Sequence, residues 1–439
     1  MPSLGGMTGF EDARVREWSF VVIAVALTWL GNEFGASGAI SPWFQKTSFG
    51  IPLNFILFFF LMACLFPYVA RTPQVRMTHR MTQLGLFRLV ALAWAVICLA
   101  IALAILRGVP ELFADWRNLL ITAVTALFAA KWLSAQSWKR LAVTDLGIAY
   151  GLLAIPTVVE YAMGGGVLIL GVRTTVFDGP TLYTAAFSAA VAAWYALNPD
   201  PTHSKARTAA LRVAGIAASL LVLLSFRRSF WLAWIIALIA VLIISLRSRR
   251  RQGIRIVSAL LGFSGLIAIA TVAVGTETIL ARLESFMPSA TGEYSVTNED
   301  HVNDLIDAWR VIERDPILGL GIGSRYETNL ISDWKTESFE VHNALLHVWL
   351  KFGIAGAVVY LAFHIGLIRA ALRSGSTVPI AAFLIGELLA TMVGTWPYGS
   401  FQMSVFHGLL IAIMVANAHT PKPRLARREV IRARPVGFP

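Results

Sequence analysis

Leu223-Leu224-Ser225-Phe226-Arg227-Arg228-Ser229-Phe230-Trp231 joins two apolar runs, 209–225 and 229–246, each long enough to cross a bilayer as a helix. The connection is only a few residues, so the two runs form an antiparallel hairpin. Two adjacent arginines at a membrane edge are costly, and a charge kept there points to function. The rest of the chain fits the same medium. Of its 439 residues 57% are hydrophobic and 14% charged, and the mean hydropathy is +0.67. A soluble fold of that composition lacks the polar surface to cover itself, so the expected class is all-α, a polytopic transmembrane helical bundle.

Hydropathy predicts about twelve spans, near 18–34, 49–69, 86–106, 118–133, 143–159, 181–198, 209–225, 229–246, 254–274, 343–368, 378–394 and 402–418. With the N-terminus inside, the inner segments carry Arg14 and Arg16, Arg71, Arg76 and Arg80, Lys131, Lys139 and Arg140, Lys205, Arg207 and Arg212, Arg247 to Arg255, Arg369 and Arg373, and a basic tail. That asymmetry obeys the positive-inside rule. The turn at Arg227 and Arg228 falls outside and breaks it. The net charge of +12 therefore belongs to the inner face and suits anionic lipid rather than nucleic acid. Cys64 and Cys98 both lie in predicted spans, which excludes a disulfide framework, and no metal-ligand spacing is present. Residues 1–17 lack the pattern of a cleaved signal, so the first span is expected to remain as an anchor. The organisation that follows is 1–274 with nine spans, an outer loop over 275–341, three spans in 342–418, and a basic cytoplasmic tail over 419–439.

The 275–341 loop holds thirteen Asp and Glu against five Lys and Arg, a net of −8, as an outer segment should. From Glu299 to Pro316 the pattern is that of an amphipathic helix: Val302, Leu305, Ile306, Trp309 and Ile312 share one face with acidic residues opposite, Asn298 as cap and Pro316 as stop. Gly319-Leu320-Gly321-Ile322-Gly323 follows. It lacks the preceding strand and the lysine of a nucleotide-binding loop, so it reads as a tight turn. Next comes His342-Asn343 at the start of the tenth span. An imidazole titrates near neutrality and, at the water edge, is a candidate base toward a hydroxyl nucleophile. Gly353 and Gly356 in the same span read as sites of close helix approach.

The order of these parts is more specific than any one of them. Ser225-x-Arg227-Arg228 between paired spans, the long outer loop running into Asp315-Pro316-Ile317-Leu318-Gly319-Leu320-Gly321, then His342-Asn343 and Gly353-x-x-Gly356, resembles the O-antigen ligase and polymerase superfamily over about residues 205–418. These are membrane enzymes that move glycans from undecaprenyl-diphosphate carriers at the periplasmic face of the bacterial inner membrane. The resemblance implies a catalytic role for His342 as base and for Arg228 on the carrier diphosphate, with Arg227 replacing a small polar residue usual beside it. Guanidinium suits that task because it stays charged and binds phosphate oxygens bidentately. A second arginine of the family falls where this chain has His301; Arg282 or Arg310 are the candidates to supply its charge. His301, Arg282, Arg310, Arg227 and Asn343 complete the expected substrate-binding set.

The expected partners are the lipid-linked glycan donor, an acceptor that is lipid A-core or a growing glycan, and membrane lipids. No metal or cofactor is called for where arginines neutralise the leaving charge. Among weaker candidates, Lys351 either snorkels or faces the cavity, His347 and His407 read as packing or network residues, Arg173 and Glu160 are candidates to touch a diphosphate or sugar, and Trp334 and Trp396 to stack sugars. The rival reading is a twelve-span transporter or lipid flippase, which predicts repeat symmetry and a long central inner loop. Here the long loop follows the ninth span and lies outside.

Overall fold

A computed structural model describes residues 5–29, 77–109, 112–165, 167–169, 172–174, 179–248, 293–328, 337–338, 341–394 and 397–418, with isolated positions within 58–70 and 265–280. The helices are α1 (Gly5–Trp29), α2 (Met77–Gln83), α3 (Phe87–Leu106), α4 (Leu112–Ser134), α5 (Ala142–Ala162), α6 (Gly179–Leu197), α7 (Lys205–Leu224), α8 (Arg228–Ser248), α9 (Glu293–Arg314), α10 (Ala344–Ala371), α11 (Val378–Thr391) and α12 (Phe401–Asn417). The hairpins β1 (Val167–Ile169) with β2 (Val172–Thr174) and β3 (Tyr326–Glu327) with β4 (Glu337–Ser338) are minor additions. Apart from α2 and α9, each helix overlaps a stretch expected to span, α1 starting well before its expected span of 18–34. Most of the expected span 49–69 and nearly all of 254–274 lie outside the described residues. Five described helices are long and apolar enough to cross a membrane: Phe87–Leu106, Ala142–Ala162, Lys205–Leu224, Arg228–Arg247 and Ala344–Ala371.

The bundle centre is aromatic. Phe187, Phe383 and Phe406 meet edge to face with centroids 5.4 to 5.8 Å apart, and Tyr150 adds to Phe406 at 5.7 Å. All four rings are buried. Small residues bring the surrounding helices close, as membrane bundles require. At Gly386 of α11 a Cβ would stand 2.2 Å from the Ala233 carbonyl oxygen of α8, so this contact fixes the two helices whose upper ends frame the arginine turn.

Helix α10 is broken at Gly353, whose φ of 68° and ψ of −175° belong to glycine alone. The break is used. Leu320 N–H donates to the Leu350 carbonyl at 2.7 Å, Gly321 N–H to that of Lys351 at 3.0 Å, and Ile354 N–H to that of Pro316 at 3.0 Å. The glycine-rich stretch is thus more than a turn. Its left-handed residues thread it into the gap in α10, satisfying backbone groups that the break would otherwise strand. Arg107, at the end of α3, fastens the same loop by donating to the Gly319 carbonyl at 2.5 Å and pairing with Asp315 at 2.5 Å. Lys351 is fully buried and donates to the Ser324 carbonyl, so it neither snorkels nor faces water.

Two expectations for α9 are corrected. The helix begins at Glu293, which puts Asn298 inside it rather than at its cap. Its faces are also exchanged in part: Asp300, Asp304, Asp307, Ala308 and Ile312 are buried, whereas Val302, Ile306 and Trp309 are exposed. The physical reason is pairing. Asp304 finds donors on His342 and Tyr326, and Asp307 finds Arg310 at 3.0 Å, so these carboxylates are buried with partners.

Candidate active site

The arginine turn is held by its neighbours. Phe226 is buried with φ at 52°, a left-handed conformation that a bulky residue adopts only under constraint. The constraint is visible: the Ser225 hydroxyl donates to the Val222 carbonyl at 2.7 Å, and Trp231 Nε1 is shared between the Val222 and Leu223 carbonyls, each at 3.0 Å. The reversal places Arg228 as the first residue of α8 and Arg227 just before it, both half-buried. The Arg227 guanidinium lies 5.8 Å from the Phe230 ring centroid. Two cations therefore stand where the helix also presents its N–H groups and the positive end of its dipole, a combination suited to an anion.

His342 belongs to the segment between β4 and α10. Its ring Nδ1 lies 3.0 Å from Asp304 Oδ2, and its backbone N–H donates to the same oxygen at 2.7 Å. Asp304 is wholly buried, and the Tyr326 hydroxyl donates to its other oxygen. Burial pushes the Asp304 pKa up, but the hydrogen bonds from His342 and Tyr326 outweigh it and hold the carboxyl below its usual range. Burial together with that carboxylate pushes the Tyr326 phenol well above its usual range, so it remains a donor. A carboxylate only accepts, which makes Nδ1 the protonated nitrogen and leaves Nε2 with a free lone pair.

His301 stacks edge-on against His342 with centroids 4.6 Å apart. Its pKa falls to about 4, first through burial and then through the charges of His342 and Arg228. His301, which stands where the resemblance leads one to expect an arginine, therefore carries no charge near neutrality. The influence of Arg228 on His301 also ties the arginine turn to the histidine pair. A second link runs through the end of α11, where Asn343 donates to the Met392 carbonyl at 2.6 Å and a Cβ at Gly394 would stand 3.4 Å from that of Ser229.

The other expected site residues are engaged within the fold or lie outside the described residues. Asn343 uses its amide at both ends within the fold, since Oδ1 also caps α10 by accepting from Leu346 N–H at 3.0 Å. Arg310 is mostly exposed and paired with Asp307. Arg282, Trp334 and Trp396 lie outside the described residues, as does the Arg173 side chain. His347 is buried and accepts from Val341 N–H at 3.4 Å, and His407 is buried against Glu387 at 2.9 Å, both as network residues. Asp304 and Tyr326 were missed by sequence reasoning. The available signal was the i, i+3 spacing of His301 and Asp304, which puts them on one helical face.

No curated protein matches the chain. Residues 213–361 match the O-antigen ligase family model, a stretch that runs from α7 through the break in α10 and contains Arg227, Arg228, His301, Asp304, Tyr326 and His342. Together with the apolar helices, this match indicates a membrane protein whose 213–361 segment is similar to the O-antigen ligase family, in support of the ligase and polymerase superfamily.

Proposed function

We propose that the protein is an inner-membrane glycosyltransferase that moves a glycan from an undecaprenyl-diphosphate carrier to a hydroxyl acceptor at the periplasmic face. The observation that carries this reading is a histidine whose Nδ1 is engaged by a buried carboxylate and whose packed neighbour His301 feels the charge of Arg228 from the start of α8. In this account the donor diphosphate sits against Arg228 and Arg227, where guanidinium and helix N–H groups stabilise the charge that grows as the leaving group departs. His342 Nε2 takes the proton from the acceptor hydroxyl. That oxygen attacks the anomeric carbon as its bond to the diphosphate breaks, which inverts the carbon and releases undecaprenyl diphosphate. The arginines neutralise the leaving group.

Topology supports the same assignment: the inner segments are basic and the 275–341 loop is acidic, so the site opens on the outer face. A ligase passes a finished polymer to lipid A-core; a polymerase passes repeat units to a growing chain. Deleting the gene and resolving the surface glycans on a gel tests the proposal. Loss of long chains from lipid A-core with accumulation of lipid-linked polymer is the ligase result, and single-repeat products are the polymerase result. Unchanged glycans contradict both.

A further inference from the structure

We propose that Asp304 is the positioning residue of the reaction: it holds His342 in the tautomer whose Nε2 accepts the substrate proton, and it stabilises the positive ring that results. The proposal rests on the reading of His342 as base. Its geometric support is that one oxygen, Oδ2, receives both the backbone N–H and the ring nitrogen of His342, at 2.7 and 3.0 Å. The first bond fixes the base of the side chain and the second fixes the ring. Oδ1 is taken by the Tyr326 hydroxyl, so the carboxylate has no freedom to turn away.

Exposure divides the pair in the same sense. The Asp304 side chain is 0% exposed while that of His342 is 38% exposed, so the imidazole is open to a substrate and the carboxylate is not. A hidden carboxylate is retained at a desolvation cost that an asparagine would avoid, and a group that becomes positive during the reaction accounts for keeping the charge. The surroundings agree. His301 packs against the ring and stays neutral near pH 7, while Arg228, Asp300 and Asp304 are the charged groups that act on this histidine pair. When the acceptor O–H gives its proton to Nε2, Asp304 keeps its own negative charge and faces the new imidazolium, the division of labour known from Ser-His-Asp triads.

The test uses full-length protein in lipid with lipid-linked donor and hydroxyl acceptor, and reads kcat and KM against pH. Asp304→Asn is the informative variant. Its amide can offer oxygen to both His342 donors and its NH2 to the Tyr326 oxygen, keeping the bonds and removing the charge. The expected result is a kcat about 10–100-fold lower, an unchanged donor KM, and an acid limb of the pH profile moved to lower pH. Added to His342→Ala, the same substitution should cost nothing more. Asp304→Glu, which keeps the charge on a longer stem, covers the case in which the neutral variant does not accumulate; it should lower kcat and leave the acid limb in place. Normal kcat and an unmoved limb in Asp304→Asn, a moved limb in Asp304→Glu, or a loss that adds in full to that of His342→Ala overturns the proposal. Failure of the underlying reading looks different: His342→Ala itself then turns over normally.

Discussion

Gly353 and Ile317 approach so closely that a Cβ on the glycine would stand 1.9 Å from the Ile317 carbonyl oxygen. The loop carrying the Pro-Ile-Leu-Gly sequence is therefore a part of α10 in all but connectivity, and α10 carries His342 at its head. Gly353→Ala should combine this clash with the cost of a left-handed residue, about 1–2 kcal/mol by itself. The expected outcome is a lowered thermal unfolding midpoint in detergent and faster proteolysis within 315–321. An unchanged midpoint would mean that the loop does not depend on the break.

Membrane orientation is checked by labelling. In a background without Cys64 and Cys98, a cysteine replacing the exposed Glu313 should react with an impermeant thiol reagent in intact spheroplasts, and one replacing the exposed Ala206 should not. The reverse pattern would invert the topology on which the outer-face site depends.

His301 gives a pH signature of stability. Its folded pKa of about 4 lies below the ordinary 6.5, so between these values the unfolded chain binds the proton more readily than the folded one. Stability is then lost as pH falls from about 6.5 toward 4, and is kept above that window. His301→Gln should flatten the decline in unfolding midpoint across this range. Parallel curves for the two proteins would show that His301 is not held neutral.

The hairpin, its arginines and the positions of most helices were legible in the sequence because apolar run length needs no tertiary information. The inward face of α9 was not. Its periodicity pointed Val302, Ile306 and Trp309 to the core, yet the buried carboxylates Asp304 and Asp307 are chosen by partners rather than by hydropathy. His342 is 38 positions from Asp304 along the chain, and nothing local announces that pairing. The break at Gly353 was equally hidden, since a glycine in an apolar run reads as close packing until the loop that fills the gap is known.

Arg228 carries the diphosphate half of the account. Arg228→Ala should abolish transfer while protein level stays near normal, because a half-buried residue at a helix start contributes little to packing. Arg228→Lys should rescue poorly, as one ammonium cannot reproduce the bidentate fork. Wild-type glycan product from Arg228→Ala would remove the arginine from the mechanism.

The most direct test of the central claim is the single-turnover transfer rate of His342→Ala, measured in lipid with donor saturating. The account predicts a rate lower by roughly 10²–10⁴ with donor affinity preserved, since binding rests on the arginines. A His342→Ala enzyme that transfers at the wild-type rate would contradict the assignment of this histidine as the base.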